Sequence, residues 1–353
     1  MGKIMKQLRL SLVGFGVVGQ GLAELLHAKR VELQREFGLD VTLVSVANAR
    51  HGFIYREEGL DIPTLLELTS AHRPLTEHPD VHQYASALHG LQATQADMLA
   101  EVTGTNLRDA EPGMGHIRAA LARGMDVITA NKGPAALAAD ELFALAREHN
   151  AQLRIESTVM AGTPVISTIR EGMAGATVHA IRGILNGTTN YILSAMAAGR
   201  DYKDVLAEAQ AQGYAEADPT ADVEGYDTLA KTLILAAVVF GHPLKPEQVI
   251  RQGITQITRE QMQRAIDNGR RIKLVASLRQ TPGNSSTATT FEARVEPVEL
   301  PLSDALARVD GVMNAITIQT DTLPEVSIIG PGAGRLQTGQ GLLADLIAIA
   351  RDK

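Results

Sequence analysis

An acid and a lysine stand one helical turn apart at the start of a long apolar run. Residues 213–241, GYAEADPTADVEGYDTLAKTLILAAVVFG, carry Asp227 and Lys231 at positions i and i+4, on one face of a helix. An exposed pair at this spacing would stabilise a helix by only about 0.2–0.5 kcal/mol. The residues that follow are apolar nearly all round, so the helix is expected to be buried. A partly buried lysine can act as a general acid or base.

Acidic residues also precede this helix. Glu216, Asp218, Asp222 and Glu224 stand among turn residues in EADPTADVEG, without helical pairing. An acidic pocket facing a partly buried lysine suits a ligand that has an ammonium group and an oxygen that exchanges a proton. The alternative, an exposed ion pair beside a solvated loop, stays open on these residues alone.

A glycine motif near the start of the chain has the sequence context of a dinucleotide site. The motif G-x-G-x-x-G at residues 14–19 follows a predicted strand at 8–13, and a helix and a buried strand at 41–49 complete a βαβ unit. The first glycine permits the tight turn, the second lets the backbone approach the pyrophosphate, and the third allows close helix–strand packing. An ordinary glycine turn is the alternative. The candidate cofactor residues here are Gly14, Phe15, Gly16, Val17, Val18 and Gly19.

The end of the second strand bears on the choice of cofactor. An NAD site usually has an acid there for the ribose hydroxyls, whereas this chain has Asn48, Ala49 and Arg50. Arg50 could accept a 2′-phosphate, which favours NADP, with NAD still possible. A solvated loop arginine is the alternative.

Two further residues lie at the ends of predicted strands. Thr103 follows one strand and Lys132 follows another, and ligands of open α/β sheets lie beyond the carboxyl ends of strands. Lys132 could contact a cofactor carboxamide or a substrate oxygen, or it could be a surface lysine before a Gly-Pro turn.

The second half of the chain has a different pattern. Strands and helices over residues 156–299 predict a mixed sheet with helices on one face, and Glu156 falls inside a predicted strand at 153–158. The glycine-rich sequence GPGAG at 330–334 precedes an apolar helix. It could return to the cofactor and make the nucleotide domain discontinuous, or it could be a simple turn.

Composition narrows the class of protein. Of 353 residues, 45% are hydrophobic, and the formal charge of −7 comes without any dense Lys/Arg run, so a nucleic-acid partner is not expected. Cysteine is absent, which excludes disulfides and a thiol nucleophile and fits a reducing compartment. The longest apolar run, 233–240, is too short to cross a bilayer. We therefore expect a cytoplasmic protein with no membrane partner.

The chain resembles the homoserine dehydrogenases over almost its whole length. The sequences that carry the resemblance occur in the family's order: GFGVVGQG, TANKGP, ESTVMAGTPVI, IRGILNGTTNYIL, GYAEADPTADVEGYDTLAKTLIL and GPGAG. It implies the reversible NAD(P)H-dependent reduction of L-aspartate 4-semialdehyde to L-homoserine, a step in threonine, methionine and isoleucine biosynthesis.

The resemblance also implies an α/β architecture. A Rossmann-type doubly wound nucleotide domain would be built from both chain ends, 1–155 and 300–353, and would include a dimerisation portion. An α+β substrate domain with a mixed sheet would occupy 156–299. A homodimer is implied. Since the chain ends soon after GPGAG, we expect no additional C-terminal regulatory domain and no threonine feedback through one.

Individual roles follow from the resemblance. Lys231 would be the proton donor or acceptor, and Lys132 a second lysine beside the nicotinamide. Glu216 would take the substrate ammonium, while Asp222 and Asp227 would shape the site and orient Lys231.

The resemblance adds cofactor and cation residues. Gly213 and Gly334 would lie near the cofactor. A monovalent cation, sodium in this family, would be bound by one loop, mainly through backbone carbonyls: Glu156, Val159, Ala161 and Thr163.

Three rival functions stay open beside this one. Aspartate-semialdehyde dehydrogenase acts through a cysteine, which this chain lacks. A different NADP-dependent amino-acid dehydrogenase would differ in its substrate. A non-catalytic NADP-binding sensor would bind the nucleotide without turnover.

Overall fold

The computed structural model describes residues 5–48, 52–282 and 289–353, and the chain forms two compact units. The first unit comprises Met1–Gly162 and Gly334–Lys353, and the second comprises Thr163–Ala333. The nucleotide domain is thus built from both chain ends, which confirms that part of the prediction.

The first unit contains a seven-stranded sheet. Its strands are β1 (Lys6–Val13), β2 (Leu39–Asn48), β3 (Gly52–Tyr55), β4 (His82–Tyr84), β5 (Met98–Glu101), β6 (Asp126–Thr129) and β7 (Leu153–Arg154). Their order is β4-β3-β2-β1-β5-β6-β7. Strands β1, β2, β5, β6 and β7 are parallel, and β3 is antiparallel to both of its neighbours, β2 and β4. The chain runs outward from β1 first to β2 and later to β5. This puts a topological switch point between β1 and β5, as in doubly wound nucleotide folds.

Helices of the first unit cover the strands. They are α1 (Val17–Ala28), α2 (Arg30–Glu32), α3 (Ile62–Ser70), α4 (Ala87–Ala93), α5 (Gly113–Leu121), α6 (Lys132–Glu148) and α7 (Ser157–Met160). The predicted long helix after the glycine motif is divided. It continues beyond α2 as a π-helical turn, Leu33–Phe37, and stops at Gly38, whose left-handed φ of 65° is typical of a helix end.

One predicted strand of the first unit is wrong. The prediction has a strand over 153–158, whereas β7 ends at Arg154 and Glu156 has helical dihedrals, φ −49° and ψ −46°. The Thr158 amide donates to the Ile155 carbonyl at 3.0 Å, which closes a turn there. The alternating apolar pattern of these residues predicts a strand. It gives no sign of the hydrogen bond between Thr158 and Ile155 that closes the turn.

The second unit contains a mixed six-stranded sheet. Its strands are β8 (Val178–Ile184), β9 (Ile250–Arg251), β10 (Arg270–Pro282), β11 (Thr289–Pro301), β12 (Met313–Thr320) and β13 (Val326–Pro331). Their order is β13-β12-β8-β10-β11-β9; the β11–β9 pair is parallel and the other pairs are antiparallel. The predicted α/β class with a mixed second sheet is confirmed.

The predicted boundary at residue 300 does not agree with this division. β12 pairs with β8 and β13 pairs with β12, so both strands belong to the second unit and only residues from Gly334 onward return to the first. Ile316 and Ile318 of β12 are fully buried. An apolar strand pattern indicates burial but not which sheet the strand joins, because strand pairing is non-local.

Helices of the second unit include the apolar run around Lys231. They are α8 (Gly187–Ala197), α9 (Tyr202–Ala211), α10 (Thr220–Val223), α11 (Tyr226–Phe240) and α12 (Arg259–Asp267). The apolar helix around Lys231 is α11; α10 ends just before it, and Gly225, with φ 79°, separates the two helices. Residues 228–237 of α11 are all buried, as its composition predicts.

The C-terminal helix α13 (Arg335–Asp352) packs against α1 of the first unit. A Cβ on Gly21 would lie 2.2 Å from the Arg335 carbonyl oxygen, so the helix backbones meet closely. Leu342 and Leu346 join the same core as the β1 side chains. Within the described ranges, no helix has the length and apolar character needed to cross a membrane.

Candidate active site

The three glycines of the N-terminal motif differ in the space around them. Gly14 has φ 108°, and a Cβ on it would lie 2.5 Å from the carbonyl carbon of Val102. A Cβ on Gly19 would lie 2.1 Å from the Gly14 carbonyl oxygen, so this glycine lets α1 pack closely on the turn. At Gly16, no described atom lies within 4 Å of the ideal Cβ. Space for a ligand is therefore left at the N-terminus of α1, where a phosphate is favoured.

A cavity of about 430 Å³ lies at this turn. It is bordered by the carboxyl ends of β1, β2 and β5, which is where open α/β sheets bind dinucleotides. The described lining residues, none of them acidic, come from these strand ends and from α3 and the loop after it: Gly14, Phe15, Gly16, Asn48, Thr69, His72, Arg73, Leu75, Val102, Thr103 and Gly104. The residues present fit a dinucleotide.

Three other candidate cofactor residues, Val17, Val18 and Lys132, lie at the starts of helices α1 and α6. Val17 is 65% exposed at the start of α1, and Val18 is half-buried against the core. Lys132 is the first residue of α6 and is half-buried. Arg50 lies outside the described residues.

The two glycines expected near the cofactor belong to different units. Gly334 precedes α13 in the first unit with φ 130°, and its carbonyl accepts a hydrogen bond from the Thr338 hydroxyl at 2.7 Å. Gly213 is an exposed residue after α9 in the second unit, with φ 74°.

A fully buried carboxylate supports the edge of the cavity. Glu101, the last residue of β5, accepts hydrogen bonds from the Thr103 amide at 3.2 Å and from Asn131 Nδ2 at 3.0 Å. Asn131 in turn caps α6 by accepting from the Gly133 amide at 3.1 Å. Glu101 thereby links Thr103 to the helix that starts with Lys132. This role of Glu101 cannot be predicted from the sequence, since a single acid at a strand end carries no local signal.

Lys231 lies in a buried cluster of the second unit. Its side chain is 7% exposed, and Nζ is 2.9 Å from Asp227 Oδ2, whose side chain is 17% exposed. Nζ also donates to the Leu185 carbonyl at 2.6 Å. The alternative of an exposed ion pair is therefore wrong. An ammonium held in this way by two acceptors keeps one further N–H group for a ligand, because lysine has three donors.

Asn186 ties the acids of this cluster together. Its Nδ2 donates to Asp222 Oδ1 at 2.7 Å and to Asp227 Oδ2 at 3.1 Å. Its Oδ1 accepts from the Thr189 amide at 2.9 Å and caps α8. The sequence predicts a turn at Asn186 and a cap near Thr188 or Thr189, whereas the cap is Asn186 itself, two residues earlier. The contacts to the two acids are not predicted. An Asn-Gly pair between a strand and a helix was the available signal.

The two carboxyl groups are not equivalent. Burial raises the pKa of Asp222 above its ordinary value, and the nearby Asp227 charge raises it further, while the Asn186 hydrogen bond opposes both. Asp227 instead faces the Lys231 ammonium directly. A pair of acids in such different surroundings can hold a proton on one and a charge on the other.

Glu216 has a different position from the other predicted substrate residues. It lies exposed in the loop between α9 and α10, where Gln210 Nε2 donates to its carbonyl at 3.1 Å. In the described part of the chain its carboxylate forms no ion pair. The loop is held to α8, since the Thr188 hydroxyl donates to the Tyr214 carbonyl.

The predicted cation loop is buried. Glu156, Val159 and Ala161 are each less than 5% exposed, and Ala161 has φ 52° at the end of the short helix α7. Thr163 starts the second unit, where its hydroxyl donates to the Pro331 carbonyl at 3.0 Å. No group of three acidic or histidine side chains suited to a metal occurs among the described residues.

The dinucleotide cradle and the lysine–acid cluster define an NAD(P)-dependent oxidoreductase. A family profile described as homoserine dehydrogenase matches residues 164–347, and one described as homoserine dehydrogenase, NAD binding domain, matches residues 14–156. The chain belongs to the homoserine dehydrogenase family, which confirms the resemblance.

Individual relatives agree with this assignment. The chain is 38% identical to the NAD(+)-dependent homoserine dehydrogenase of Pseudomonas canavaninivorans, covering 98% of this chain and 97% of that one. It is 35% identical to the homoserine dehydrogenase of Methanocaldococcus jannaschii, with 96% and 97% covered.

Solved structures are similar as well. A putative homoserine dehydrogenase from Archaeoglobus fulgidus has a TM-score of 0.85 and 35% identity, with 97% of this chain and 99% of that one covered. A hyperthermophilic archaeal homoserine dehydrogenase in complex with NADPH has a TM-score of 0.83 and 31% identity, with 99% of each chain covered.

Proposed function

We propose that this chain catalyses the reversible NAD(P)H-dependent reduction of L-aspartate 4-semialdehyde to L-homoserine, as a step in threonine, methionine and isoleucine biosynthesis. The observation that carries the proposal is the buried Lys231 ammonium, paired with Asp227 at 2.9 Å, in a chain with a dinucleotide cradle. The names of the relatives support the choice of substrate.

The cradle residues hold the cofactor in this proposal. When bound, the reduced nicotinamide supplies the hydride for the aldehyde carbon. Gly16 leaves room for the pyrophosphate, and Thr103 borders the same cavity. We propose NADP as the preferred form because no acid occurs among the described residues that line the cavity, with Arg50 as a candidate phosphate ligand. The relatives differ, one being named NAD(+)-dependent and another bound to NADPH.

Lys231 provides the proton to the substrate oxygen. Asp227 and the Leu185 carbonyl hold its ammonium in one orientation, so that a remaining N–H can meet the oxygen as it becomes an alkoxide. Lys132 adds a second positive charge for that oxygen. The same groups work in reverse for homoserine oxidation, with Lys231 accepting the proton.

Acidic residues bind the other end of the substrate. Glu216, an exposed carboxylate without an ion-pair partner among the described residues, takes the α-ammonium and so fixes the aldehyde in position. Asp222 shapes the site with Asp227, and Asn186 keeps the two acids in place. Gly213 and Gly334 border the cofactor in this proposal.

A monovalent cation and a second copy of the chain complete the proposal. Sodium would be bound by the backbone carbonyls around α7 and Ala161, together with Glu156, Val159 and Thr163. The bound ion would stabilise the turn after α7. A homodimer is supported by the exposed edge strand β13, in which Ile329 is 54% exposed. Sedimentation velocity tests the dimer, and the salt dependence of thermal stability in sodium, potassium and tetramethylammonium chloride tests the cation.

A spectrophotometric assay tests the reaction. The purified chain should oxidise NADPH when L-aspartate 4-semialdehyde is added, and should reduce NADP⁺ with L-homoserine. L-Serine and L-threonine are the controls for a different amino-acid dehydrogenase. Tight NADPH binding without turnover on either substrate would support the sensor and contradict the proposal.

A further inference from the structure

We propose that Arg73, assisted by His72, binds the 2′-phosphate of an NADP-class cofactor and sets the preference of this chain for that form. The proposal rests on the proposed use of a nicotinamide dinucleotide. It concerns residues at the end of α3, in addition to Arg50, the candidate phosphate ligand that the sequence indicates.

The composition of the cavity carries the first part of the inference. Asn48, at the end of β2, occupies the place where an acid selects for the free ribose hydroxyls of NAD. Thr69, His72 and Arg73 line the same cavity. Among the described lining residues none is acidic and Arg73 is a permanent cation, so this lining favours an additional phosphate over a bare hydroxyl pair.

The backbone explains why both side chains reach the cavity. α3 ends at Ser70, and His72 has φ 55°, a conformation that histidine adopts more readily than most residues. The Arg73 amide then donates to the Leu68 carbonyl at 2.8 Å, which closes the helix end. The chain therefore reverses at His72. Because a helix C-terminus carries partial negative charge, a phosphate near it requires a cationic side chain.

The Glu77 carboxylate competes with an incoming phosphate for the Arg73 guanidinium. Arg73 Nε donates to Glu77 Oε2 at 2.9 Å, and Nη2 donates to the same oxygen. The two side chains are 53% and 41% exposed, so this pair contributes little to the fold. These bonds use two of the five guanidinium N–H groups, and an incoming phosphate must share Arg73 with the carboxylate. Removing the carboxylate should therefore strengthen phosphate binding, and removing Arg73 should weaken it.

Calorimetric titration of the full chain with adenosine 2′,5′-bisphosphate and with AMP tests this without turnover, because the two differ only in the 2′-phosphate. The wild-type chain should bind the bisphosphate at least about 10-fold more tightly than AMP, as a charge-assisted bond to phosphate implies. Arg73→Ala should remove most of that difference and leave AMP binding within about 2-fold. Glu77→Gln should tighten binding of the bisphosphate alone, and His72→Ala should weaken it less than Arg73→Ala does.

Arg118→Ala is the matched control. Arg118 forms an exposed ion pair with Glu141 in the same unit and does not line the cavity, so the variant should bind both ligands as the wild type does. Equal weakening of both ligands by Arg73→Ala would mean that the side chain packs on the adenine, and would overturn the proposal. Equal wild-type affinity for the two ligands would overturn it too. A wild-type chain that binds neither would contradict the dinucleotide site as well, whereas an Arg73→Ala variant with an unchanged affinity for the bisphosphate would overturn only this inference.

Discussion

Replacing Gly16 with alanine should separate cofactor binding from folding. No described atom lies within 4 Å of the added methyl group, and the φ of −87° suits alanine. Gly16 is the N-cap of α1, where alanine costs up to about 1 kcal/mol, so Tm should fall by no more than about 3 °C. The methyl group would occupy the space left for the pyrophosphate. Losing a hydrogen bond to a charged group costs about 1.5–3 kcal/mol, which raises the Kd for NADPH about 10–150-fold.

The other two glycines of the motif provide the comparison. In Gly14→Ala and Gly19→Ala the new Cβ would lie 2.5 Å from the Val102 carbonyl carbon and 2.1 Å from the Gly14 oxygen, so both should lose about 1–3 kcal/mol of stability as well as binding. Scanning fluorimetry measures Tm, and quenching or enhancement of NADPH fluorescence on titration measures Kd. The reasoning is refuted if Gly16→Ala binds NADPH as the wild type does, or if it loses as much stability as Gly14→Ala.

Three further predictions concern the second unit. Asn186→Ala removes the hydrogen-bond donor to Asp222 and Asp227. The variant should have a kcat at least about 10-fold lower, at unchanged NADPH affinity. A wild-type kcat would contradict the positioning role of Asn186. Burial and the Asp227 charge raise the pKa of Asp222 above the unfolded value of about 3.9. The protonated Asp222 carboxyl therefore contributes to stability below about pH 4, and this contribution is lost as pH rises through the raised pKa. Asp222→Asn should therefore flatten the fall in urea midpoint between about pH 4 and pH 8, and parallel profiles for the two proteins would show that Asp222 is not responsible. Glu216→Ala should raise KM for L-homoserine by at least about 10-fold with little change in KM for NADP⁺, and an unchanged kcat/KM for homoserine would remove Glu216 from substrate binding.

Features set by neighbouring residues could be predicted from the sequence. The glycine turn, the strand before it and the helix after it depend on bonds within a few residues, and the structure contains them. The Asp227–Lys231 pair follows from helical spacing, and its burial follows from the apolar residues after it.

Contacts between distant residues could not be predicted in this way. Leu185 and Lys231 are in contact although they are 46 residues apart in the sequence, and Asn131 and Glu101 are in contact although they are 30 residues apart. No local sequence pattern indicates either contact. β12 was assigned to the nucleotide domain because its sequence shows a buried strand but not its pairing with β8. Whether the His72 and Arg73 side chains face the cavity depends on where α3 ends and on the positive φ of His72. No simple sequence motif encodes either feature.

Single turnover by Lys231→Met tests the central claim most directly. Methionine keeps the buried apolar stem of Lys231 and removes only the ammonium that Asp227 and Leu185 hold. With NADPH prebound and L-aspartate 4-semialdehyde mixed in a stopped-flow instrument, the rate of NADPH oxidation should fall about 10²–10⁴-fold, while the Kd for NADPH stays within about 2-fold of the wild-type value. A folded variant that oxidises NADPH at a rate close to that of the wild type would show that Lys231 is not the proton donor.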